Sequence, residues 1–358
     1  MKYIFTLVLL LLVNRNFNAY SQTNKDVTLR LFVYEGYAPN HMIEKFKYNM
    51  LKKYNAKIDI QVQHVGDLKN QFNIIRGRAA DVVSLTHNLL NDGRFQYNNK
   101  RLILPLNLEN IPNIKKISQN LEFDDSRKVK SRFIPICQGP YGLAYNTAKG
   151  PPPESWNIFW NEKMKHNYTI GLHESLYNIG ITALALGYPL SSLSNFELLN
   201  NPTFKEKLRT LVRNSDTLWI GVEKPSDLKG KTIAAVWGDS FKKLKQKGEH
   251  WKIANPKEGT FRWIDYLALS KSLETQPFKK KIAEEWINFS LSNEYQINYL
   301  FRDLNSYPVI SGVKRLVNES ERSRLDILDS KKWFLLPTLA NRDRNGIEKL
   351  WKNALKAK

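Results

Sequence analysis

Apolar and polar residues alternate from Val27 to Val33, with Val27, Leu29, Leu31 and Val33 on one side and Thr28, Arg30 and Phe32 between them, the period-two signature of a strand. The strand runs into the turn Tyr34-Glu35-Gly36-Tyr37-Ala38-Pro39-Asn40. Met42, Ile43, Phe46 and Met50 then recur at helical spacing, with Asn40 placed to cap the helix. A second strand is expected at Ile58–Val62, a helix near Leu68–Ile75 and a third strand at Asp81–Leu85. Strands alternating with helices argue for a parallel α/β sheet, in which ligands sit beyond the carboxyl ends of strands. Tyr34 to Tyr37 and Thr86 to Asn88 occupy two such ends.

Farther along, Phe133–Cys137 reads as a buried strand and Tyr141–Asn146 as another. Pro151-Pro152-Pro153 breaks the pattern before Glu154-Ser155-Trp156-Asn157-Ile158-Phe159-Trp160. A strand near Tyr168–Leu172, a helix at about Ser175–Leu186 and a strand at Lys231–Trp237 follow. Phe278, Ile282, Trp286 and Phe289 mark one face of a long amphipathic helix. Neither a repeat nor a low-complexity core segment interrupts this order.

The amino terminus has a different character. Met1-Lys2 precedes an apolar run from Ile4 to Val13 broken only by Thr6, and Ala19-Tyr20-Ser21 offers small residues for cleavage, so residues 1–21 are expected to be a cleavable export signal. Ten apolar residues span about 15 Å of a roughly 30 Å hydrocarbon core, too little for an anchor. The single cysteine, Cys137, lies far from the cleavage point, so no lipid is expected there and no intrachain disulfide can form; a freely diffusing periplasmic monomer with Cys137 in its core is the expectation. About 340 mature residues suffice for two lobes.

The chain carries 55 Lys and Arg against 34 Asp and Glu, a net charge of +21. The lysines fall in scattered doublets and triplets without aromatic interleaving, which argues for a basic surface and against a nucleic-acid partner. Catalytic and cofactor motifs fail in turn. Pro225 stands where a phosphate loop ending in Gly230-Lys231-Thr232 needs its first glycine, and the six histidines include no metal-binding pair at helical spacing. No enzyme activity, cofactor or metal is expected.

The segment Pro256-Lys257-Glu258-Gly259-Thr260-Phe261-Arg262-Trp263-Ile264-Asp265 resembles the periplasmic spermidine and putrescine receptors of ABC importers, within the bacterial extracellular solute-binding proteins. Leu31–Pro39, Tyr141–Asn146, Ser155-Trp156 with Trp160, Val236–Phe241 and Tyr307-Pro308 keep the order of that family, so the resemblance covers nearly the whole mature chain. It implies a two-lobed α/β periplasmic binding protein fold of type II, each lobe a mixed sheet flanked by helices, with the ligand cleft between lobes. One lobe would comprise residues 22–138 and 265–307, the other 139–264 and 308–358. An inner-membrane ABC permease would be the partner.

By the same resemblance Trp263 and Asp265 bind a primary ammonium, Trp237, Tyr37 and Tyr34 wall its methylenes, Glu174 supplies a second acid, and Thr86 and Asn88 hydrogen-bond a ligand end. Residues two apart in a strand face the same way, so one indole and one carboxylate would point together. The alternative reading has Trp263 in the core and Asp265 as a helix cap or a partner of Arg262, and the matched motif around them favours the binding role. Tyr177 stands where the family has a further acid, and Glu35 lies in a Tyr-Glu-Gly-Tyr turn that departs from the family pattern. Fewer acids leave a diamine, a monoamine or a neutral or zwitterionic solute open. Ala80–Leu85 also resembles oxyanion receptors, and a membrane sensor could replace the permease.

Overall fold

The computed structural model describes residues 25–65, 68–97, 100–121, 132–330 and 332–358; the expected export signal lies outside them. The first lobe opens with β1 (Lys25–Val33), α1 (Asn40–Tyr54), β2 (Ala56–His64), α2 (Leu68–Arg76) and β3 (Val82–Thr86). Each matches the hydrophobic period from which it was expected. One detail differs: Asn40 does not cap α1. Pro39 holds the cap position with extended backbone (φ −73°, ψ 150°), a value its ring favours, and Asn40 becomes the first helical residue without a capping side-chain bond.

Strand β4 (Phe133–Asn146) is one element of 14 residues, where two strands were expected. Gln138-Gly139-Pro140 reads as a break in sequence, yet it continues to pair, Gly139 opposite Trp263 and Pro140 opposite Arg262. The chain proceeds through β5 (Tyr168–Gly171), α3 (Ser175–Ala185), α4 (Pro202–Asn214), β6 (Thr217–Trp219), β7 (Ile233–Val236), β8 (Trp251–Ile253) and β9 (Thr260–Leu269). After α5 (Pro277–Ser290) come a π-helical segment Glu294–Phe301, α6 (Glu319–Ser330), β10 (Trp333–Leu335) and α7 (Asn341–Leu355).

The strands join in the order β2-β1-β3-β9-β4-β7-β5-β6, with β8 on β4 and β10 on β9. Pairing is parallel toward both ends and antiparallel where β9 meets β3 and β4 and where β4 meets β7, so the sheet is mixed. Two hydrophobic cores divide it. The first gathers residues from Val27 to Cys137 and from Ile264 to Leu325; the second gathers Tyr141 to Phe261 and Leu336 to Ala354. Strands β4 and β9 belong to both, and the register between them shifts at Asp265/Tyr266, next to the crossing. The fold is therefore two-lobed.

Residues after 307 depart from the division expected in sequence. Tyr307 and Gln138 exchange backbone hydrogen bonds of 2.9 and 3.0 Å, and Ser118 N–H donates to the Val309 carbonyl, which holds Val309, Ile310, Val313, Val317 and Leu325 in the first core. The chain reaches the second core only near Phe334 and Leu336.

Candidate ligand-binding site

Two carboxyl-end segments of the first lobe, the turn after β1 and the end of β3, converge on Asp265. The turn after β1 needs a left-handed backbone at Gly36 (φ 89°), which a side chain would strain. Hydroxyls of Tyr295 and Tyr299 on the π-helical segment clamp the carbonyls of Tyr37 and Gly36 in that turn. Tyr37 is thereby aimed at Asp265 and donates to its Oδ2 at 2.5 Å. Thr86, directly opposite Asp265 across the β3–β9 ladder, donates to Oδ1 at 2.7 Å, and the Tyr34 hydroxyl lies 3.0 Å from Thr86 Oγ1. The Cys137 thiol donates to the Tyr37 hydroxyl at 2.8 Å. This leaves Tyr37 a donor toward the carboxylate. Asp265 is 6% exposed, and burial pushes its carboxyl up to about 6, against the pull of the Tyr37 and Thr86 hydrogen bonds.

Trp263 lies one strand position pair before Asp265, over Gly139 of β4. A Cβ added at Gly139 would stand 2.6 Å from the indole Cζ2, so the close approach requires glycine there. The indole N–H donates to the Pro140 carbonyl at 3.1 Å, which fixes the ring. Trp263 packs on the first core and Trp237 on the second, and their rings meet edge to face at 6.2 Å. From Trp237 the aromatic surface continues to Tyr177 at 5.1 Å and Tyr141 at 4.6 Å. Tyr177, expected as a substitute for an acid, is 7% exposed and forms part of this wall.

Glu174 precedes α3 and keeps part of its surface open, while the apolar surroundings of its carboxyl raise it to about 8. Its methylene rests against Gly171, and among the described residues its carboxylate has no hydrogen-bond partner. Asp239, in the turn after β7, is raised to about 6 by burial, and it too lacks a hydrogen-bonding partner among the described residues. Glu223 holds that turn by accepting from Gly238 N–H at 2.7 Å and Trp237 N–H at 3.3 Å, and burial beside Asp239 raises it to about 8. Asp265 stands between Ile264 and Tyr266 of the first core and Asp239 just after Val236 and Trp237 of the second, so the two acids come from different lobes, and both add to the burial that holds the Cys137 thiol up. His87, beside β9, is held neutral by burial, its pKa lowered to about 4.

Sequence reasoning named Asp265, Trp263, Trp237, Tyr37, Tyr34, Thr86, Tyr177 and Glu174, and these come together. Glu35 is exposed, and Asn88 is half-buried in the 3-10 turn after β3; neither makes a side-chain hydrogen bond among the described residues. Asp239 and Glu223 were missed. Asp239 stood inside the Val236–Phe241 segment already singled out for its tryptophan, two residues past Trp237, while only the backbone turn reveals Glu223.

A family profile for bacterial extracellular solute-binding proteins matches residues 78–354. The chain belongs to that family. No curated protein sequence matches it. A structure described as a spermidine/putrescine ABC transporter from Listeria monocytogenes aligns with TM-score 0.73 at 19% identity, covering 91% of this chain and 98% of its own. The spermidine/putrescine ABC transporter substrate-binding protein PotD from Streptococcus pneumoniae gives 0.70 at 16%, covering 92% and 99%. The binding protein MotA from A. tumefaciens B6, in complex with glucopine, gives 0.65 at 12%, covering 92% and 99%. At such identities the likeness establishes the fold.

This extracellular solute-binding protein thus comes from a family of binders rather than enzymes. Among its described residues no helix is long and apolar enough to cross a membrane. The Ala80–Leu85 stretch that resembled oxyanion receptors serves the fold: Asp81 is fully buried between Arg30 and Lys279, both at 2.8 Å, and Ser84 Oγ accepts the Tyr34 N–H.

Proposed function

We propose that the protein captures a small solute bearing at least one primary ammonium between its lobes, and that an ABC importer receives it. The observation that carries this reading is a set of desolvated carboxyls, Asp265, Glu174 and Asp239, set around an aromatic wall in a chain whose net charge is +21. Ionised acids in such a place are costly unless a cation joins them. An ammonium offers three donors to Asp265, and its methylenes can lie along Trp263, Trp237 and Tyr177. The charged hydrogen bond contributes about 1.5 to 3 kcal/mol and the indole about 0.5 to 2 kcal/mol.

The division of acids between lobes favours a diamine over a monoamine. One ammonium at Asp265 and another near Glu174 and Asp239 would tie the lobes through the ligand, a reason for them to close on it. Interlobe contacts from Asn305 to the Gly238 carbonyl (2.9 Å) and from Lys242 to the Arg302 carbonyl (2.8 Å) suit a closed arrangement. Export to a periplasm and transfer to a permease belong to the same reading. Titrating the mature protein with 1,4-diaminobutane tests it: saturable binding with no chemical conversion is expected, and absence of binding by any aliphatic amine would overturn it.

A further inference from the structure

A small polar cavity lies at Asp92 of the first lobe, where Arg344 of α7 reaches across from the second. It has a volume of about 50 Å³, an apolar floor of Leu90, Phe95 and Phe133, and two guanidinium groups, Arg101 and Arg132, in its wall. Phe133 pairs with Ala268, three residues along β9 from Asp265, so about 10 Å of strand separates the two backbone positions.

Among the described residues the charges lining this cavity do not cancel. Asp92, also in the wall, is already engaged: Arg94 binds it in a fork at 3.0 and 2.8 Å, and Arg344 of α7 approaches to 3.4 Å. Arg132 donates one N–H to the Ile103 carbonyl at 2.6 Å, and its other four donors have no partner among the described residues. Among the described residues Arg101 makes no side-chain bond and neither arginine has a carboxylate partner. Burial and the neighbouring charge of Arg101 both act against the charge on Arg132. The exposed Arg101 and the half-buried Arg132 both line this small cavity, and an anion between them would relieve their like-charge repulsion. Planar forks fit the oxygens of phosphate or sulfate, and a water needs about 10 to 15 Å³ of such space, so the cavity suits a group of that size.

We propose that Arg101 and Arg132 form a binding site for a small tetrahedral oxyanion, separate from the interlobe cleft. The test is calorimetry and thermal unfolding of the mature protein with inorganic phosphate and sulfate, at ionic strength matched with chloride. Saturable binding beyond the chloride control is expected, weakened about 10- to 100-fold in Arg101→Gln and in Arg132→Gln, with binding of amines unchanged. Arg101 is exposed and makes no side-chain bond among the described residues, so Arg101→Gln remains decisive if loss of the Ile103 bond impairs folding of Arg132→Gln. Phosphatidylglycerol vesicles distinguish the anion's source: sedimentation lost in Arg101→Gln assigns a lipid headgroup, while binding of free phosphate alone assigns a soluble ion. Equal effects of phosphate and chloride, or undiminished phosphate affinity in Arg101→Gln, would overturn the site.

Discussion

Asp265→Asn separates a binding role from a structural one, because the structure sets opposing magnitudes for the two. Burial raises this carboxyl from 3.8 to about 6, so holding it ionised at pH 7 costs the free protein about 3 kcal/mol. Asparagine removes that cost. It also replaces one acceptor oxygen with an amide N–H₂, so either Tyr37 or Thr86 loses its acceptor, a penalty of about 1 to 3 kcal/mol. These nearly offset, and the unliganded variant should unfold within a few degrees of wild type. Binding has no such compensation: a charged hydrogen bond is lost, and affinity for 1,4-diaminobutane should fall about 10- to 100-fold. Calorimetry at pH 7.5 reads the affinity, and thermal unfolding without ligand reads the stability. A variant that binds the diamine as wild type does, or one that melts far lower while still binding, would refute Asp265 as the anchor.

Trp263→Leu should weaken amine binding by the smaller cation–π contribution, about 0.5 to 2 kcal/mol, while amines remain preferred over neutral alcohols of equal length in calorimetry. Gly139→Ala should displace the same indole and reproduce part of that loss, with little change in fluorescence-detected folding, since the clash is with a cleft side chain. Because the raised carboxyls of Asp265 (about 6) and Glu174 (about 8) ionise to receive ammonium, diamine affinity should climb from pH 5 to pH 8. The same linkage has the unliganded protein losing stability as pH rises from about 4 through 6 at Asp265; calorimetry in two buffers of different ionisation heat should show proton release near pH 7, mainly from Glu174. Small-angle scattering should give a radius of gyration that does not exceed the free value once diamine saturates the cleft, and expansion would contradict lobe closure.

The local parts of the fold were legible because local spacing encodes them. The first α/β units, from Val27 to Leu85, and the α3 and α5 helices are written in periods of two and 3.6 that owe little to distant residues. Strand β4 was read as two because glycine and proline interrupt a strand in most settings; here Gly139 makes room for Trp263, and Pro140 still accepts the indole bond through its carbonyl. The return of residues 309–325 to the first core depends on the Gln138–Tyr307 pairing, a contact 169 positions apart that no window along the chain contains. In the site, Trp263 and Asp265 were legible as a strand pair. Asp239 was passed over beside a more conspicuous tryptophan, and Glu223 acts only through the backbone turn it holds.

The assignment of an amine to the interlobe cleft is tested most directly by a calorimetric panel of diamines, polyamines, amino acids and oxyanions against the mature protein. Saturable heat from at least one aliphatic amine, abolished or much reduced in Asp265→Asn, is the expected result. Silence with every amine, together with oxyanion binding that persists in Arg101→Gln and Arg132→Gln, would contradict it.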